Sequence, residues 1–333
     1  MDANAFVLHL RALPSPAYSK PNCLLLGDNL VGLPDRLASC LASTAGLHCS
    51  FMSQPTANAR HAWWQWPTTL SLDAPLVAVL WQALFARKIG VSLDWHDPAL
   101  IGLAVWLIYA ADRWIEGWRL DPGTVQTHRH QFYIRHRWSV FAVGLVAIAA
   151  TIGIAITRLD AREFKAGLIL LIPTGAYLFS HQLVHRHHPL RLPKELCIAA
   201  IFSLGCALGP AVLAPDQIPA LIIPAILFGL LCFANCALIA SWEKEVDTIH
   251  GQTSLALQLK GRWTLIHVLP WALLVIGVTA AVLRTDPSPF AICTAASGLL
   301  LGLLDLAQPR LGRETARALV DFTLFTPLFL LFV

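Results

Sequence analysis

The sequence predicts an all-α integral membrane protein with nine transmembrane helices, and three observations carry that prediction. Of 333 residues, 56% are hydrophobic and only 13% charged; the mean hydropathy is +0.60; and the apolar residues are gathered into long runs. A soluble domain carries about a quarter charged residues. The runs approach the roughly 20 residues that a helix needs to cross a bilayer. Their Leu, Ala, Ile and Val show none of the period-two alternation, about ten residues long, that marks a barrel strand.

Taken in order, residues 1–65 stand apart. Pro14, Pro16, Pro21 and Pro34 interrupt them, three cysteines are scattered among them, and their apolar stretches are too brief to span. We expect a poorly ordered tail or a start upstream of the true one at Met52, with 66–333 as the membrane domain. No basic segment is followed by a long apolar core and a cleavage site, so no signal peptide is expected. Apolar runs then begin near Leu70, Pro98, Ser139, Phe164, Leu196, Ile218, Thr264, Phe290 and Ala318. The first holds Asp73 and Pro75 and the last Asp321, which makes these two the least apolar.

Lys and Arg number 18 on the N-terminal side of this arrangement and 6 on the other. The bias of basic residues toward cytoplasmic connections puts the N-terminus in the cytoplasm, Val333 outside, and the protein in the plasma (inner) membrane. The five cysteines in apolar runs, Cys197, Cys206, Cys232, Cys236 and Cys293, read as small buried hydrophobes.

Two of the runs end in paired carboxylates, Asp112 with Glu116 and Glu243 with Asp247. Residues four apart share a helix face, so each pair sets like charges together where the helix dipole also disfavours them. Both pairs fall on the predicted cytoplasmic side. A cation relieves the repulsion, and magnesium suits the position because it takes one or two carboxylates and completes its shell with water and phosphate oxygens. Arg113, Arg119, Arg129, Arg135 and Arg137 follow the first pair, Lys194 opens the fifth run, and Lys260 and Arg262 follow the second pair. Acidic groups for a metal beside basic groups for phosphate describe a site for a diphosphate at the membrane surface.

From about residue 68 to 333 the chain resembles the UbiA-type intramembrane prenyltransferases. Glu243-x-x-x-Asp247, followed by Gly251, Thr253, Leu255 and Gly261, is similar to the family's second acidic motif. The segment PKELCIAAIFSLGCALGP, with Lys194, is similar to its lysine and small-residue helix. At the first motif, Asp112 and Glu116 occupy the last two acidic positions, while Ile108 and Tyr109 stand where the family has Asn and Asp. THRHQFYIRHR, with Thr127, Arg129 and Arg135, replaces an Arg-Thr-x-x-Arg-Pro segment.

The resemblance implies a UbiA-like bundle and transfer of an isoprenoid chain from a prenyl diphosphate to an aromatic or other lipophilic acceptor. It further implies Mg2+ held by Asp112, Glu116, Glu243 and Asp247. Tyr109, Arg113, Arg119, Arg129 and Lys194 would contact substrate, with Tyr109 and Trp242 offering aromatic faces to an allylic cation. Gly205, Ala207 and Gly209 serve either close helix packing or room for a ligand. Membrane lipid is an expected partner and nucleic acid is not.

Two other readings are open. A lipid- or quinone-binding protein of the same fold without catalysis accommodates the altered first motif. A di-iron membrane oxygenase is suggested by His128, His130 and His136 and by His181, His185, His187 and His188, since His181 and His185 make a chelating i,i+4 pair. Such enzymes need a third box late in the chain, where His250 and His267 stand alone.

Overall fold

The computed structural model describes residues 63–119, 128–180, 193–249, 254–259, 264–283 and 288–331. The chain divides into two units, Met1–Arg60 and His61–Val333; the tail predicted over 1–65 lies almost wholly outside the described residues.

A 3-10 turn over Trp63–Gln65 leads into α1 (Trp66–Thr69), and a bend of 78° separates it from α2 (Asp73–Ile89). The least apolar part of the first run is therefore a helix start. Asp73 and Pro75 lie in the first turn of α2, where a carboxylate complements the dipole and a missing N–H leaves no bond unmade. Ser71 makes the corner at φ 58°, a left-handed conformation that is uncommon outside glycine.

Beyond it follow α3 (His96–Arg119), α4 (His128–Arg135), α5 (Arg137–Arg158) and α6 (Ala161–Phe179). Asp160 caps α6 with a capping box, accepting from the backbone N–H of Arg162 and Glu163, while Glu163 accepts from that of Asp160. Next are α7 (Lys194–Leu213), α8 (Ile218–Trp242), the short α9 (Lys244–Ile249) and α10 (Leu255–Gln258), then α11 (Thr264–Val282) and α12 (Pro289–Leu311). The last run is interrupted: α13 (Arg313–Val320), a 3-10 turn at Asp321–Leu324 and α14 (Pro327–Leu331).

This is a multi-pass, all-α membrane protein, with no strand among the described residues. Helix occupies all nine expected runs, but among the described residues six helices (α3, α5, α7, α8, α11 and α12) are each long and apolar enough to cross a bilayer, and the bent pair α1 and α2 passes the same test only if taken together as one span. α6 has 19 residues but opens on Arg162, Glu163 and Lys165. The ninth is interrupted by the 3-10 turn at Asp321–Leu324.

The core lies where the first and last helices meet α8. Trp81 stacks on Phe228 with centroids 4.1 Å apart, meets Phe290 edge-on, and donates its indole N–H to the Leu324 carbonyl at 2.8 Å. α11 and α12 pack backbone to backbone: a Cβ on Gly298 would come within 2.8 Å of the Leu274 nitrogen and the Pro270 oxygen. Outward faces stay apolar, with Val146, Ile156, Ile172 and Val282 all strongly exposed, as a hydrocarbon surround requires. Cys206, Cys232 and Cys293 are buried and free.

Candidate functional site

The second acidic pair sits at the end of α8. Glu243 caps that helix, and the Asp247 N–H donates to the Glu243 carbonyl at 2.9 Å, carrying the helical path into α9. Both side chains are buried. Glu243 receives Arg129 Nη2, from α4, on both carboxylate oxygens at 3.1 and 3.3 Å. Burial pushes its carboxyl up, but Arg129, with Arg317 and Lys194 beyond it, outweighs burial and holds it below the ordinary glutamate value. At Asp247 burial prevails over the opposing pull of Lys194, and the carboxyl lies above the ordinary aspartate value.

Arg129 itself is half-buried, and its Nε and Nη1 are closed off from water and unpartnered. Burial lowers its guanidinium against the pull of Glu243. Lys194, the first residue of α7, lies within electrostatic reach of Asp247, Glu195, Glu116 and Asp112. The structure thus gathers both acidic pairs, Arg129 and Lys194 at one end of the bundle, although they come from five helices.

Other expected contacts fall elsewhere. Arg113 is buried, donates to Ser71 Oγ and lies over the Tyr109 ring at 5.7 Å; Ser71 also bonds Tyr133 Oη at 2.8 Å. These contacts tie the corner between α1 and α2 to α3 and α4. Trp242 donates its indole N–H to Asp305 at 3.0 Å, an interhelical tie that occupies its polar edge. Arg119 ends α3, and its side chain is outside the description, as are those of His128, His130 and residues 181–188. His136 is exposed beside Phe132. His267, read as isolated, pairs with Asp305 at 2.6 Å.

Three groups beside the site were not anticipated. Glu195 is buried and accepts from the Leu255 N–H at 3.1 Å, tying α7 to the segment after the second pair; in the sequence it reads as an ordinary first-turn acid. Arg317 on α13 bonds Asp321 at 2.8 Å and reaches Glu243 electrostatically. Asp321, the residue that spoils the last apolar run, accepts also from Asn235 of α8 at 3.1 Å. The i,i+4 spacing of Arg317 and Asp321 was the available signal.

From this charged end an apolar cavity of about 440 Å³ runs between α3, α5, α6 and α7. Tyr109 and Asp112 line its mouth, Ile101, Val105 and Phe202 its walls, and Asp97 and Glu163 its far end. Gly205 and Gly209 line it as well, while Ala207 is in the core. α5 packs on α3 and α6 on α7, with little contact between α5 and α6, so the cavity has an apolar flank.

Carboxylate oxygens are the donors a hard divalent cation takes, which fits magnesium in kind. In arrangement, no three Asp, Glu, His or Cys side chains among the described residues are close enough to hold a metal ion, so phosphate oxygens and water would have to complete any shell.

No family model matches the chain, and no curated protein matches it. In structure it is similar to a UbiA homolog from Aeropyrum pernix K1 in its apo form, with a TM-score of 0.53 and 16% identity over 79% of this chain and 99% of that one. Its helical bundle is therefore of the UbiA type, in a divergent sequence.

Proposed function

We propose that the protein is a magnesium-dependent intramembrane prenyltransferase, moving an isoprenoid chain from a prenyl diphosphate to an aromatic or other lipophilic acceptor. The observation that carries this is continuity: Asp112 belongs both to the charged cluster and to the lining of the apolar cavity. A molecule with an anionic head and a hydrocarbon chain matches both parts. The unpartnered N–H groups of Arg129 and the ammonium of Lys194 would bind diphosphate oxygens, where charge-assisted bonds are strongest. Asp112 with Glu116, and Asp247 across from them, would each offer carboxylate oxygens to magnesium whose shell is completed by water and diphosphate oxygens, while Glu243 is engaged by Arg129. The ion would supply charge neutralisation of the leaving diphosphate. Tyr109 presents a ring face to the allylic carbon, and apolar walls keep water from it.

The test is isothermal titration of the purified protein with geranylgeranyl diphosphate, with and without magnesium. Asp112→Asn and Asp247→Asn should each abolish the magnesium-dependent component while leaving the protein folded, because each relieves like-charge repulsion. Equal affinity for the wild type and both variants would overturn the prenyl-transfer reading. The non-catalytic lipid or quinone binder would then be preferred, and one observation favours it: the Glu243 carboxylate is already engaged by Arg129. Binding without product formation from any aromatic acceptor would point the same way.

A further inference from the structure

One polar side chain is out of keeping with the cavity. Gln82 is the only α2 residue in its lining; it is 4% exposed, and its amide oxygen has no hydrogen-bond partner. Its amide nitrogen faces Gly209, where a Cβ would lie 3.2 Å away. The oxygen is closed off from water, so the nitrogen is the polar atom the side chain can present to the cavity, and an unmatched polar atom disfavours contact with hydrocarbon.

Its depth gives this meaning. α2 runs against α3, with Val79 beside Gly102, so Gln82 lies one further turn toward the Asp97 end of the cavity. An α-helix rises about 1.5 Å per residue, so the cavity extends about 22 Å along α3 between Asp112 and Asp97. The Asp97 end is polar and capped at the helix starts: Asp97 accepts from the Asp94 N–H and Glu163 from that of Asp160. Water entering there can reach the amide nitrogen on the cavity side, whereas a hydrocarbon chain that arrives there displaces that water and offers nothing in exchange.

We propose that Gln82 is a specificity-determining residue that limits the length of the chain bound in this cavity. The preferred donors are prenyl diphosphates whose tail stops short of Gln82, and longer polyprenyl chains are disfavoured because they strip its amide. Gly209 keeps the passage beside the amide open. The proposal rests on the prenyl reading of the cavity.

The experiment measures binding to the full-length protein in detergent across two parallel series: geranyl, farnesyl, geranylgeranyl and solanesyl diphosphates with magnesium, and the corresponding prenyl alcohols. In the wild type, affinity should rise with chain length and then fall about tenfold once the chain passes Gln82, the loss expected for one buried group left unmatched. Gln82→Leu should abolish the fall without loss of thermal stability, since an apolar group of similar shape replaces an unmatched polar one; Gln82→Met serves if the leucine variant does not fold. Gly209→Ala should bring the fall to a shorter chain.

Affinity that keeps rising through solanesyl would mean that the chain leaves sideways between α5 and α6, and would overturn the proposal. So would a fall that persists in both Gln82 variants, or Gln82→Leu weakening every chain alike, which would make the amide an anchor. A length step seen with the alcohols but no diphosphate binding would uphold Gln82 and sink the transferase. Diphosphate binding without a step would do the reverse, and no binding in either series would overturn both.

Discussion

Arg129 and Glu243 hold each other across the space between α4 and the end of α8 at 3.1 Å, with both side chains largely out of water. Removing one member of such a pair leaves the other charge buried and unpaired, which costs about 3 kcal/mol. Glu243→Gln should therefore lower unfolding stability by about that amount at neutral pH, and a double-mutant cycle with Arg129→Gln should recover most of it as coupling. The pH dependence follows from the sign of the shift. Because the folded-state value of Glu243 lies below its unfolded value, its contribution is complete above about pH 4.3 and is lost as pH falls below that. Thermal melts from pH 7 to 3 should show an acid-dependent loss in the wild type that is smaller in Glu243→Gln; parallel curves would exclude the pair as its source. Asp247 carries the opposite sign: burial raises its carboxyl, so it opposes folding once ionised, and Asp247→Asn should raise neutral-pH stability. Both acidic pairs and Lys194 were legible as sequence because i,i+4 spacing and position after an apolar run are local properties. The partnership of Arg129 with Glu243, 114 residues away, and the diversion of Arg113 to Ser71 were not, since neither leaves a local trace.

The helices themselves were legible from apolar length, and their irregularities from the residues that break it. Asp73, Pro75 and Asp321, which make the first and last runs the least apolar, mark the bend before α2 and the break after α13. What the sequence did not expose is how closely two helices approach. Gly298 is one small residue among many in the apolar runs, yet a Cβ there meets the backbone of α11 at 2.8 Å. No rotamer change removes a backbone clash, so α11 and α12 must move apart. Gly298→Ala should destabilise the protein by about 1–3 kcal/mol, the range for overpacking a well-packed interior, read as a lower melting temperature in detergent. Gly153→Ala, on α5 with nothing within 4 Å of the added Cβ, is the control and should change little. Equal effects at the two sites would show that loss of helix entropy, and not close approach, governs the response.

Over the whole molecule the charged and aromatic residues settle at two levels. Trp118 and Trp138 meet edge-on at the acidic end, with the Arg137 guanidinium 4.6 Å from the Trp118 ring, while Trp95 and Arg158 pair at 5.5 Å at the other end. Indole rings favour the two membrane interfaces, so the helices between these levels occupy the bilayer. We propose that the end carrying Asp112 and Asp247 faces the cytoplasm, because the sequence puts 18 Lys and Arg on that side of the expected spans against 6 on the other. Reporter fusions after Val125, Leu190 and Leu255 should therefore read as cytoplasmic, and fusions after Trp95 and Val333 as exterior. The broken ninth run makes the C-terminal fusion the most informative, because α13 and α14 are short and a chain that turned back at Asp321 would leave Val333 in the cytoplasm. That single result would revise the count of spans without touching the site. A fusion after Val125 that read as exterior would do more: Glu243, Arg129 and Lys194 would then face away from any prenyl diphosphate made in the cytoplasm, and the transferase reading would fall with the topology.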